Sequence, residues 1–164
     1  MKNKFNKKNI AGFSLLEIVI VVFIMAIGLV GVISLTTQNL QAQTVNENKL
    51  IASGLAQEGI ELARNWRDNN WLDSVDWKTG MTGTFSADYL SSKYSVTGLN
   101  DNLARLKINA SGFYEINSGT NSIFSRIITI TDQGDYLNVV CTVRWLSVNS
   151  ANTYVAETQL YGWQ

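Results

Sequence analysis

With 164 residues, 46% of them apolar, and thirteen basic against thirteen acidic side chains, the chain is long enough for one ordinary domain and too apolar to be disordered throughout. It has no histidine and a single cysteine, Cys141, which excludes a zinc site of Cys and His ligands, an internal disulfide, and catalysis with histidine as base. The zero net charge conceals an asymmetry. Lys2, Lys4, Lys7 and Lys8 lie in an acid-free start, and setting them aside leaves nine basic against thirteen acidic side chains, a balance unsuited to nucleic acid.

Residues 1–12 form a basic leader, and the 23 residues Phe13–Leu35 that follow carry one charge, Glu17. As a helix this stretch is about 35 Å long, enough for a hydrocarbon core of roughly 30 Å. Lysines before it and none just after it predict a cytoplasmic N-terminus, with everything beyond Leu35 on the far side of the membrane. An ordinary secretory signal places its small-residue cleavage site after the apolar run. Here the small residues, Ala11-Gly12, come before it, so a cut there removes the lysines and keeps the membrane helix.

The string GFSLLEIVIVV behind a lysine-rich leader resembles the N-terminal signature of type IV prepilins and type II secretion pseudopilins. The resemblance covers about the first 35 residues. It implies cleavage by a prepilin peptidase between Gly12 and Phe13, N-methylation of Phe13, and a pairing of Glu17 with the Phe13 amine of a neighbouring subunit when subunits assemble. The physics agrees: an acidic group within a membrane helix costs about 2.5–3.5 kcal/mol and seeks a partner. A glutamate solvated at headgroup level is the plainer alternative. Gly28 and Gly31, in a chain without proline, are candidates for a helix bend or for close packing against other helices.

Beyond Ser34 the sequence turns polar but shows no breaker before Asn69-Asn70, so a single helix is expected from about Phe13 to Asp68, roughly 80 Å long, with 13–35 in the membrane and 36–70 amphipathic. Ile51, Leu55, Gly59, Leu62 and Trp66 supply its apolar stripe, with Glu58, Glu61, Arg64 and Asp68 largely on other faces. Glu61 with Arg64, and Arg64 with Asp68, have the spacing of helix-surface ion pairs.

Residues 71–164 read as a β-rich domain. An antiparallel meander is expected from Ser122–Asp132, Tyr136–Ser147 and Thr153–Trp163, joined at DQGD and VNSAN, with weaker strands at Lys93–Gly98, Ala104–Ala110 and Phe113–Ile116. In the middle strand Leu137, Val139, Cys141, Val143 and Trp145 share one face and should cover the helix, making Cys141 a buried small hydrophobe rather than a reactive thiol. Arg126 falls in phase with Phe124, Ile128 and Ile130, which predicts either snorkelling at an edge or a bulge that resets the phase. This tail also resembles the C-terminal sheet of minor pilins of the type IV pilus modification type, through its Arg-Ile pair, its Val-x-Trp strand end and a terminal tryptophan. The C-terminal disulfide loop of many major pilins cannot form with one cysteine.

Trp66, Trp71 and Trp77, interspersed with acids and amides, either pin the helix-to-sheet loop on the core or, at Trp71 and Trp77, offer a ligand-binding surface. Asp132 and Asp135 share a turn that is either solvated or a calcium site. No residue set suggests a catalytic centre, a metal site or a cofactor. The expectation is an α+β, pilin-like membrane protein: a long N-terminal helix on an antiparallel sheet, acting as a non-enzymatic minor filament subunit at the cell surface. Its expected partners are the prepilin peptidase, other pilins through the helix, and the membrane. The competing functions are a type II secretion pseudopilin, a tip adhesin or priming subunit, and an unprocessed single-pass membrane protein.

Overall fold

The computed structural model describes residues 14–90, 93–147 and 150–162. One helix, α1 (Leu15–Leu72), precedes β1 (Gly83–Ala87), β2 (Lys93–Ser95), a 3-10 turn at Asn102–Ala104, β3 (Arg105–Ile108), β4 (Tyr114–Glu115), β5 (Thr120–Asp132), β6 (Tyr136–Ser147) and β7 (Ser150–Tyr161). The chain divides into two units, residues 1–44 and 45–164. In the first, every side chain from Leu15 to Leu35 is exposed although nearly all are apolar. At 1.5 Å per residue this stretch is about 32 Å long, and α1 is long and apolar enough to cross a membrane.

The second unit holds the core. Ala52, Leu55, Ala56, Gly59, Ile60 and Ala63 of α1 are buried with Leu137, Val139, Cys141, Val143 and Trp145 of β6. The single-face stripe on β6 is therefore present as its period-2 pattern predicts. The stripe on α1 is shifted: Ile51, Leu62 and Trp66 are only partly buried, and alanines and Gly59 occupy the centre. Small residues allow the helix backbone to approach the sheet closely. A Cβ on Gly59 would lie 2.5 Å from Cys141 Sγ.

α1 runs through Asn69-Asn70 and ends at Leu72. The stop comes from a Schellman arrangement, in which Val75 N donates to Asn70 O at 3.0 Å and Ser74 N to Trp71 O at 3.1 Å. Ser74 takes the left-handed conformation, φ 56°, that such a cap usually gives to glycine, so no Gly marks the end in the sequence. The Asn70 side chain instead anchors the following loop, donating to Trp77 O at 3.1 Å and Thr79 O at 2.8 Å.

Among the described residues the sheet has seven strands. β5, β6 and β7 form the expected antiparallel meander, with Phe124↔Trp145 through Asp132↔Leu137 in unbroken register. The last strand covers Ser150–Tyr161 rather than Thr153–Trp163, and Trp163 lies outside the described residues. The other long edge of β5 is shared by β1, which carries β2, and by β3, which carries β4. β2, β3 and β4 fall within the three weaker expected strands. β1 has no counterpart among the sequence expectations, because GTFSA is short and its two buried positions are Ser86 and Ala87.

Candidate assembly helix and surface sites

Gly12 and Phe13, the expected cleavage and methylation positions, lie outside the described residues. Glu17 sits in the first turn of α1, exposed, with its amide donating to Ser14 O at 3.0 Å. A carboxylate there is favoured by the unpaired N–H groups and dipole of the helix end. A Cβ added at Gly28 or Gly31 would meet no other atom within 4 Å, and α1 continues through both. The space beside them is open to other helices.

The tryptophans divide. Trp66 is partly buried and meets Phe85 edge-on at 5.8 Å between ring centroids. Trp77 is half-buried against the core and lies so close to Gly162 that a Cβ there would be 2.7 Å from its Nε1. Both pin the sheet and its loops, as large aromatics commonly do. Trp71 is 54% exposed, beside Leu72 and Val75, which are also exposed.

Arg126 corrects the sequence expectation in both its forms. It neither snorkels nor sits at a bulge. It is fully buried in the middle of β5, in phase with Phe124 and Ile128, and paired directly with Val143. Its guanidinium donates to Leu55 O at 2.9 Å and Ala87 O at 2.5 Å, and Nη1 lies 3.1 Å from Glu58 Oε2. It thus ties α1, β1 and β5 together beneath the helix. Burying a guanidinium is tolerable only with such partners. The register shift expected here lies instead on the β3 side of β5, between Arg105↔Ser125 and Lys107↔Asn121. Asp88, also fully buried, accepts from Leu90 N and Ile116 N, each at 3.2 Å, and so fixes β1 to the end of β4. The burial of neither carries a local sequence signal, because the backbone acceptors of Arg126 and one of the two donors to Asp88, Ile116 N, are far away in the chain.

On the exposed flank of α1, Glu61 and Arg64 form the expected pair at 2.5 Å, while Asp68 accepts from the buried Arg67 at 2.8 Å. Cys141 is wholly buried, and burial pushes its thiol up to about 11. It is the inert hydrophobe expected, since thiolates drive cysteine reactivity. The Asp132 carboxylate is occupied by Lys78, whose ammonium lies 2.7 Å away, and by the Gly134 amide at 2.8 Å. These bonds hold its carboxyl below the usual range. Among the described residues no group of three or more metal-ligating carboxylates or thiols converges.

A long helix with an exposed apolar first part and a second part seated on an antiparallel sheet is the architecture of pilin-like membrane-anchored subunits. Residues 7–33 match the prokaryotic N-terminal methylation motif, so the chain carries the type IV pilin and pseudopilin signature at the start of that helix. The motif implies processing by a prepilin peptidase and assembly with other pilins in a membrane-associated filament. No curated protein and no solved structure matches the chain.

Proposed function

We propose that the protein is a minor structural subunit of a type IV pilus, without enzymatic activity. It is cut between Gly12 and Phe13, methylated on Phe13, held in the membrane by the first part of α1 with its leader in the cytoplasm, and drawn from there into a surface filament. The observation that carries this is the methylation motif continuing into a helix whose apolar side chains from Leu15 to Leu35 are all exposed. The seventeen apolar side chains of this stretch need lipid, or the same helix from other copies, to leave water. Moving from lipid to a filament exchanges one cover for the other, and the open flanks of Gly28 and Gly31 suit close helix contact. Glu17, an acidic side chain in an apolar stretch, then meets the Phe13 amine of the next subunit. Head-to-tail contacts of this kind are heterologous and do not close, which generates a filament rather than a ring.

The test is intact-mass and N-terminal mass spectrometry of the protein from membranes that contain its own peptidase. A chain starting at methylated Phe13 is expected, and an intact lysine-rich leader would overturn the proposal in favour of a plain membrane anchor. A Glu17→Ala variant should be processed yet fail to enter filaments sheared from cells. Recovery in pili, rather than in a secretion apparatus, separates the pilus from the pseudopilin function. The exposure of Trp71 beside Leu72 and Val75 favours one second reading, a tip subunit with a docking surface at the end of α1. Trp71→Ala would then abolish adhesion while leaving pilus number unchanged, whereas Trp77 is committed to packing.

A further inference from the structure

β3, β5 and β6 are adjacent, and their registers place Arg105 opposite Ser125 and Ser125 opposite Arg144. Residues directly opposite in neighbouring strands present their side chains on the same face. Ser125 and Arg144 alternate with the core residues Phe124, Arg126, Val143 and Trp145, so this row lies on the sheet face away from the core. Two guanidinium side chains therefore flank one hydroxyl, with their strands about 10 Å apart. The segment Leu99–Asn102 walls the row off, enclosing a cleft of about 180 Å³.

The arginines are oriented by neutral acceptors. Arg144 donates to Leu99 O at 3.0 Å and Asn100 Oδ1 at 2.8 Å, and Arg105 donates through Nε to Ser122 O at 3.1 Å. Neither is in an ion pair among the described residues, where Arg64, Arg67, Lys78 and Arg126 all are. Asp101 also lines the cleft, but its carboxylate is turned into its own loop and accepts from Leu103 N, Thr97 N and Thr97 Oγ1. Two guanidiniums against one carboxylate leave a single net positive charge, which matches a monoanion better than a dianion. Ile123 and Leu146, both exposed, add apolar wall for a carbon-bearing body. The arginine fork is geometrically suited to a carboxylate.

We infer that this cleft binds the carboxylate of a small monoanionic ligand between Arg105 and Arg144, with Ser125 donating to it from below. The chemistry fits an acidic sugar or an acidic peptide side chain, and it is independent of leader processing and filament assembly.

The test uses the full chain in mild-detergent micelles with ¹⁵N-labelled arginine, titrated separately with glucuronate, N-acetylglutamate amide and inorganic phosphate. Saturable shifts confined to the Arg105 and Arg144 Nε signals are expected with at least one carboxylate, in the millimolar range of a small weak ligand, about 1 mM. Phosphate should bind more weakly, because it has no carbon body to place against Ile123 and Leu146. Saturation by glucuronate alone assigns the source to a saccharide, by the glutamate derivative alone to a protein, and either supports the site. Arg105→Gln and Arg144→Lys should each weaken binding by about tenfold or more, the second keeping charge and bulk while removing the fork. Lys107→Gln, which removes a nearby charge outside the cleft, should leave it unchanged. Shifts that do not saturate, phosphate binding as tight as carboxylate, or equal loss in Lys107→Gln would overturn the inference. If Arg105→Gln fails to fold, Arg144→Lys and the wild-type shift pattern decide alone.

Discussion

Gly59→Ala offers a sharp test of how α1 is seated. The added methyl would lie 2.5 Å from Cys141 Sγ and 3.4 Å from both Arg126 Cδ and Ile128 Cγ1. The first distance is about 1 Å inside ordinary contact of roughly 3.5–4.0 Å. Cys141 and Arg126 are both fully buried in the sheet and have no room to retreat. Overpacking of this kind costs about 1–3 kcal/mol, while the gain from replacing Gly by Ala in a helix interior is about 1 kcal/mol. The upper part of the range applies because the clash is with fixed core atoms, so a net loss of about 1–2 kcal/mol is expected. Cys141→Ala alone leaves a small void and should cost about 1 kcal/mol. Combined, the new methyl occupies the space of the lost sulfur, and the double variant should sit within about 1 kcal/mol of wild type, a coupling of at least about 1–2 kcal/mol. Urea unfolding of the full chain in mild detergent, followed by tryptophan fluorescence, measures all four corners of the cycle. Strictly additive effects, or a neutral Gly59→Ala, would refute the close approach of α1 to β6.

The buried thiol makes stability depend on alkaline pH. Its folded value, about 11, lies above the ordinary 9.0, so between those values the unfolded chain loses the proton that the folded chain keeps. Stability should therefore fall as pH rises from about 9 to 11, by up to about 1.4 kcal/mol per pH unit, and Cys141→Ala should remove that part of the slope in parallel unfolding titrations. In native protein at pH 8, Cys141 should resist alkylation and react fully only in denaturant, as read by mass. Ser74→Gly relieves a left-handed residue at the helix cap and should raise the unfolding free energy by about 0.5–1 kcal/mol, whereas Ser74→Val should lower it. Arg126→Ala strips partners from Leu55 O, Ala87 O and Glu58 at once and should cost about 3–5 kcal/mol. Arg126→Met, which keeps bulk, should recover part of that loss, and thermal unfolding by circular dichroism compares the two.

The features that could be read from the chain alone are those whose cause is local. The leader and Glu17 form a linear motif. The apolar run declares its solvent by length and composition. Leu137, Val139, Cys141, Val143 and Trp145 declare a buried face by alternating along a single strand. Most of what stayed hidden depends on residues brought together from far apart. Arg126 looked like a phase error because its acceptors, Leu55 O and Ala87 O, lie 71 and 39 residues away in the chain. Of the stripe expected on α1, Leu55 and Gly59 are buried, whereas Ile51, Leu62 and Trp66 are only partly so and the sheet selects Ala52, Ala56 and Ala63 in their place. The helix end passed the two asparagines because its stop is a backbone motif that Ser74 adopts without the usual glycine. Trp71 and Trp77 look alike in sequence, and only the position of Gly162 beside one of them commits that ring to packing. The sequence by itself determined the membrane helix, the processing signature and the strand order of the meander, because solvent preference and linear motifs are carried by neighbouring residues. The tertiary structure decided the buried arginine, the seating of α1 and the Arg105–Ser125–Arg144 row, because cross-strand register and burial exist only once distant segments have met.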